Sequence, residues 1–197
     1  MPTEGDPVVA LVGRSNVGKS SLINALVHRK LARAGATPGT TRLLNVYRLR
    51  LAIAPPGTAR RLMLIDLPGY GYARGSAATT RSFDRLMQAF FGQAGGNAAV
   101  MPAGVLLVVD ARHPGLANDR AACAWLTDQG HPLVVVATKI DRVSRAGRSR
   151  ATRQHEDALG APVWPVSAKT GEGLDKLWTE ITKWLRRRAS LTASPTP

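Results

Sequence analysis

With one cysteine in 197 residues, the chain cannot form an internal disulfide, so packing and hydrogen bonds must hold its fold. Cys123 lies in the alanine-rich run 121–125 and reads as a small core residue. Aromatic residues are few, at 5%, and none is interleaved with the arginine clusters, which argues against a base-stacking platform. Acidic side chains are scarce: 13 Asp and Glu stand against 27 Lys and Arg, most of them arginine, for a net charge of +14. Such a surplus calls for a polyanionic partner. No uninterrupted apolar stretch approaches the roughly 20 residues of a membrane-spanning helix. The opening Met1-Pro2-Thr3-Glu4-Gly5-Asp6 is too acidic, and too short in apolar run, for a signal peptide. These absences lead to the expectation of a soluble, cytoplasmic monomer with no membrane insertion. The 44% of hydrophobic residues suffices for a substantial core around one central sheet.

The most informative segment is Gly13-Arg14-Ser15-Asn16-Val17-Gly18-Lys19-Ser20, a complete Gly-x-x-x-x-Gly-Lys-Ser loop. It follows the apolar run 8–12 and precedes Leu22, Ile23, Leu26 and Val27 at helical spacing. A glycine turn between strand and helix aims several backbone N–H groups and a helix N-terminus at one point, which suits a polyphosphate. Lys19 would reach the β- and γ-phosphates, Ser20 would ligate Mg²⁺, and Ser21 completes the cradle. The plainer alternative is a glycine turn capping an ordinary helix.

Four further segments narrow the ligand. Thr37-Pro38-Gly39-Thr40-Thr41-Arg42, with Leu43, follows the first helix in a turn-rich stretch. Buried-strand patterns end in Asp66-Leu67-Pro68-Gly69, in Thr138-Lys139-Ile140-Asp141, and, through Val166, in Ser167-Ala168-Lys169. Each of these three lies at the carboxyl end of a strand, where open parallel sheets bind ligands. Asp66 would hold Mg²⁺ through water opposite Ser20, and Thr41 would be a third metal-binding side chain while a γ-phosphate holds its loop. Gly69 has no side chain, so its N–H can approach that phosphate. Asp141 offers two acceptor oxygens to the N1–H and N2–H₂ donors of guanine, a pair adenine lacks. The Lys139 stem can lie across the base plane, and the Ala168 N–H can donate to guanine O6. Lys19, Thr41, Gly69 and Asn16 form the expected catalytic set, with GTP and GDP as ligands.

The set GRSNVGKSSLIN, TPGTT, DLPGYGYA, DARHPG and TKID resembles the EngB (YihA/YsxC) ribosome-biogenesis GTPases of the TRAFAC class. The resemblance runs from about Val8 to Leu185. It departs at Thr40 and Arg42, where TPGTTR replaces the usual TPGRTQ and approaches the Era and MnmE pattern, and at Phe83, near where a Trp is usual. It implies a Ras-like P-loop GTPase domain over 1–188, a mostly parallel six-stranded sheet with helices on both faces. It also implies slow GTP hydrolysis, a switch role in large (50S) ribosomal subunit assembly, rRNA as partner, and a linked role in cell division and septation. Tyr70 stands where many relatives place a water-positioning Gln; it cannot supply that amide and is otherwise ordinary packing in a mobile loop. Asn16 occupies the position that coordinates K⁺ in MnmE-like relatives, so K⁺ joins Mg²⁺ as a cofactor expectation; the bland reading is an Asn chosen for its turn preference. The alternatives are an Era- or MnmE-like GTPase acting on other RNA, and a P-loop small-molecule kinase, which would lack the guanine-reading segments.

The expected order is strand 8–13, helix 18–29, switch loop 30–42, strands 43–53 and 61–66, a mobile glycine-rich segment 67–78 and helix 79–92. Strand 104–110, helix 116–129, strand 132–138, helix 144–159, strand 162–166 and helix 173–188 follow, with a disordered tail at 189–197. Leu174, Leu177, Trp178, Ile181, Trp184 and Leu185 share one helix face, which makes those tryptophans core. Arg142, Arg145, Arg148, Arg150 and Arg153, together with Arg186, Arg187 and Arg188, are the candidate contacts to rRNA phosphates, against a plain solvated surface.

Overall fold

The apolar run at the start of the chain forms β1 (Val8–Gly13), all six of its residues buried. A strand covered on both faces must read as continuous hydrophobics. Its neighbours are β3 (Thr58–Asp66) and β4 (Gly104–Asp110), both parallel to it, with Leu11 opposite Asp66 and Gly13 opposite Val108. β5 (Leu133–Thr138) and β6 (Val163–Pro165) continue the sheet in parallel, whereas β2 (Asn45–Ile53) runs antiparallel along β3. The order is β2-β3-β1-β4-β5-β6. The helices bounded within the described residues are α1 (Lys19–Leu26), α2 (Ala117–Asp128), α3 (Arg145–Leu159) and α4 (Leu174–Thr192), and a 3₁₀ turn spans Ile140–Arg142. This computed structural model describes residues 6–32, 44–53, 58–70, 87–88, 90–91 and 101–192. The expectations for 33–43 and 71–86, Thr41 and Phe83 among them, lie outside the described residues.

Successive strand residues face opposite ways, so each strand feeds two cores. Ala10, Val12, Met63, Leu107 and Val109 join Phe90, Phe91, Cys123 and Leu126 on one side. Val9, Leu11, Leu64, Leu106 and Val108 join Leu22 and Ile23 of α1 and Leu177, Ile181 and Trp184 of α4 on the other. The tryptophans are core, as their spacing requires: Trp184 is buried, and the Trp178 Nε1–H donates to the Leu26 carbonyl at 3.1 Å. Gly104 is where helix and sheet touch, since a Cβ there would fall 2.1 Å from Trp184 Cε3. Among the described residues, no helix is long and apolar enough to cross a membrane.

Three boundaries differ from the sequence expectation by three residues or more. α1 stops at Leu26 rather than 29, because the Asn24 amide gathers the next turn: Oδ1 accepts from the Leu31 and Ala32 N–H groups, and Nδ2 donates to the Ala32 carbonyl. β3 begins at Thr58 rather than 61, its polar first residues recruited by β2 through the pairs Ile53–Thr58, Ala52–Ala59 and Leu51–Arg60. α4 continues to Thr192, so residues 189–192 of the expected disordered tail are helical. Arg, Ala and Leu favour helix, and no proline intervenes before Pro195.

Candidate functional site

Gly13 ends β1 so close to β4 that a Cβ would lie 2.4 Å from the Val108 carbonyl oxygen. The chain then turns through Asn16 at φ 63° and Gly18 at φ 108°, while Val17 is buried beneath the loop. Asn is among the few side-chain-bearing residues that tolerate this left-handed region, which is the turn preference expected of Asn16. α1 starts with neither an acidic first turn nor a side-chain cap, so its N-terminal N–H groups stay open to an anion. Lys19 arches back over the loop, its Nζ donating to the carbonyls of Gly13 at 2.9 Å and Arg14 at 3.3 Å. Burial lowers the Lys19 pKa, and the nearby Asp66 carboxylate opposes that. Ser20 is half-buried and Ser21 exposed.

Asp66 ends β3 only 2% exposed, and its Oδ1 has no hydrogen-bond partner among the described residues. Burial pushes its carboxyl up to about 6 against the pull of Lys19. A buried carboxylate with an unsatisfied oxygen beside a phosphate loop suits a bound cation. Past it, the Leu67 N–H donates to the Leu11 carbonyl at 3.1 Å, Pro68 is half-buried, and Gly69 presses on the loop. A Cβ on Gly69 would meet Ser15 N and Oγ at 2.6 Å. The Ser15 N–H donates to the Tyr70 carbonyl at 3.2 Å.

The opposite wall comes from β5 and β6. The Thr138 hydroxyl lies between the carbonyls of Val17 and Val109, joining the end of β5 to the phosphate loop. Lys139, at φ 61°, donates through Nζ to the Asn16 carbonyl at 2.6 Å and to Asp110 Oδ2 at 2.9 Å. Burial alone would raise the Asp110 carboxyl, but hydrogen bonds from Arg112 and Lys139 outweigh it and hold the group well below the usual carboxylate range. The Ile140 N–H donates to the Val166 carbonyl, bringing the two strand ends together. There the Ser167 hydroxyl donates to Asp141 Oδ1 at 2.7 Å and accepts from the N–H groups of Lys169 and Thr170. Ala168 follows, half-buried.

Gly13–Ser21, Asp66–Gly69, Thr138–Asp141 and Val166–Ala168 thus converge at the carboxyl ends of β1, β3, β5 and β6. Gly39, Thr40, Thr41, Arg42 and Leu43 lie outside the described residues. Sequence reasoning did not assign Asp110, which had the same signal as Asp66: a polar residue ending an apolar strand. It also missed Asp119, in a polar stretch with no such signal, and the fully buried His155, whose Nε2 sits 3.2 Å from the Asp110 carbonyl oxygen. Tyr70 is not loose packing. It is buried, and its hydroxyl donates to Asp119 Oδ1 at 2.9 Å.

A parallel sheet with a Gly-x-x-x-x-Gly-Lys-Ser loop after its central strand, an Asp-x-x-Gly segment beside it and a Thr-Lys-x-Asp segment two strands away is the arrangement of a P-loop GTPase. Residues 8–139 match the family model described as 50S ribosome-binding GTPase. A protein named "Probable GTP-binding protein EngB" from Anaeromyxobacter sp. (strain K) is 42% identical over 184 residues, covering 91% of this chain and 83% of the relative. Its namesake in Pelotomaculum thermopropionicum is 40% identical, covering 93% and 88%. The chain belongs to the EngB family of GTP-binding proteins, and its activity is GTP hydrolysis. Two solved structures share the fold. A probable GTP-binding protein engB superposes with a TM-score of 0.65 at 20% identity, over 91% of this chain and 99% of that one. Aquifex aeolicus Era bound to GDP and aluminium fluoride gives 0.71 at 24%, over 90% of this chain and 56% of Era.

Proposed function

We propose that this chain, a single GTP-binding domain, is a cytoplasmic switch that binds GTP with Mg²⁺, hydrolyses it slowly and serves large ribosomal subunit assembly, with a linked role in cell division and septation. The observation that carries the proposal is the convergence of Lys19, the unsatisfied Asp66 Oδ1 and the Asp141–Ser167 pair around one crevice. Ser20, Asp66 and Thr41 would hold Mg²⁺, which supplies positive charge to the phosphate oxygens. The protein's own share is positional: the loop N–H groups and Lys19 grip the phosphates, and Asp141, with Lys139 and Ala168, selects guanine. No side chain in the described site is placed as a general base, which supports a low intrinsic rate. K⁺ at Asn16 remains part of the proposal, and turnover that is equal in Na⁺ and K⁺ removes it.

The ribosomal partner is supported by charge and by kinship. Arg145, Arg150 and Arg153 are exposed on α3, and the half-buried Arg148 pairs with Glu172 at 2.8–2.9 Å, a surface ion pair that a phosphate could displace. Arg186 and Arg187 are exposed near the end of α4. The matching family model is described as 50S ribosome-binding GTPase. A related Era structure is a complex with nucleotides of 16S ribosomal RNA, which belongs to the small subunit and so supports rRNA binding in general. Calorimetry with GDP, GTP and adenosine analogues in Mg²⁺ tests the site: heat from guanine nucleotides alone is expected, and an equal response to adenosine analogues overturns it. Co-sedimentation with large subunits across nucleotide states and salt tests the partner; binding that ignores salt removes the arginine–phosphate contact.

A further inference from the structure

Among the described residues, the one after Gly69 is gripped by two others. Its carbonyl accepts from the Ser15 N–H at 3.2 Å, and its hydroxyl donates to Asp119 on α2 at 2.9 Å. Asp119 is fully buried and also receives the Arg14 Nε–H, 3.0 Å from Oδ1 and 3.2 Å from Oδ2. Arg14 and Ser15 are consecutive in the phosphate loop, so the contacts close a ring: Arg14 to Ser15 by the peptide bond, Ser15 to Tyr70, Tyr70 to Asp119, Asp119 back to Arg14. A fully buried carboxylate is tolerated only when paired and hydrogen-bonded, so Asp119 resists release of either partner. Burial and the adjacent carboxylate both push the Tyr70 phenol well above its usual range, so it stays a donor.

We infer that Asp119 is a positioning residue that latches the Asp66–Gly69 segment onto the phosphate loop through Tyr70, in a seat that competes with a third phosphate and so sets the preference between GTP and GDP. In this seat the Ser15 N–H is engaged by Tyr70, and Gly69 lies so close to Ser15 that not even a methyl fits between them. For Gly69 to turn its N–H toward a γ-phosphate, the Ser15–Tyr70 contact must open, and the Tyr70–Asp119 bond opposes that. The latch also gives the aromatic at this position a role other than that of a water-positioning Gln: its hydroxyl is engaged by Asp119 on α2.

The inference rests on the phosphate-site reading above, and Tyr70→Phe tests it separately. That change removes one hydroxyl and leaves the Arg14–Asp119 pair intact. The measured quantity is the ratio of Kd values for GDP and a non-hydrolysable GTP analogue, with Mg²⁺. Loss of one buried hydrogen bond should move the ratio toward the GTP analogue by about 3- to 10-fold. Asp119→Asn should move it the same way. The ratio of GDP to IDP affinity, which reads the base side, should stay fixed in both variants. General loosening of the fold would weaken GDP and GTP analogue alike and leave their ratio unchanged, and that result overturns the inference, as does a shift toward GDP. If the unaltered protein binds neither nucleotide, it is the site reading that fails.

Discussion

Replacing Asp66 with Asn should make the nucleotide-free protein more stable while disabling its magnesium-dependent chemistry. The carboxyl is 2% exposed, and its pKa rises from 3.8 to about 6 through burial, with Lys19 opposing. At about 1.4 kcal/mol per pK unit, ionised Asp66 costs the fold on the order of 3 kcal/mol, the attraction of Lys19 already included. The sign follows from linkage. An acid whose folded pKa is raised holds its proton more tightly in the native state, so its destabilising effect grows as pH rises from about 4 to about 6 and is constant above. The Asp110 carboxyl, held low, acts in the opposite sense over acidic pH, but it is common to both proteins and cancels in a comparison. The assay is thermal unfolding of the unaltered protein and Asp66→Asn, both nucleotide-free in EDTA, from pH 4 to pH 8. The two melting temperatures should nearly coincide at pH 4 and separate by about 6–12 °C in favour of the variant above pH 7. A gap that does not widen with pH, or a variant less stable at pH 8, refutes the reasoning. In parallel, Mg²⁺-dependent GTP hydrolysis by the variant should fall to background.

Two further outcomes follow from the same contacts. Ser167→Ala removes the 2.7 Å bond to Asp141 and the acceptor for two backbone N–H groups, so GDP affinity measured by calorimetry should fall about 5- to 30-fold, and an unchanged Kd contradicts the role given to that pair. Gly104→Ala would drive a methyl into the Trp184 ring, at 2.1–2.5 Å, and urea unfolding should show a loss of about 1–3 kcal/mol or more; equal stability means that α4 can slide away from β4 freely.

What the chain announces in advance is what periodicity and strand ends encode. The buried strands read as unbroken apolar runs because the sheet is covered on both faces, and the polar residues that end them mark the crevice, which is why Gly13, Asp66, Thr138 and Ser167 were visible. Local chemistry competing with that pattern was not. The Asn24 amide turns the chain while Val27 still fits the helical spacing, and residues 58–60 look like loop until β2 pairs with them. Asp119 was hidden for another reason. It sits in the polar stretch 117–120, and only the packing of α2 against the sheet brings it to Arg14 and Tyr70, which lie 105 and 49 positions away.

Cys123 is the chain's sole sulfhydryl, and it lies 1% exposed between α2 and the sheet, where burial also pushes its thiol pKa up. Alkylating reagents should therefore find nothing to modify until the molecule opens, which turns the rate of capture into a clock for unfolding. By the same token, a cysteine introduced at a surface position would accept a dye with almost no background, leaving a clean route to watching the nucleotide crevice open and close by fluorescence.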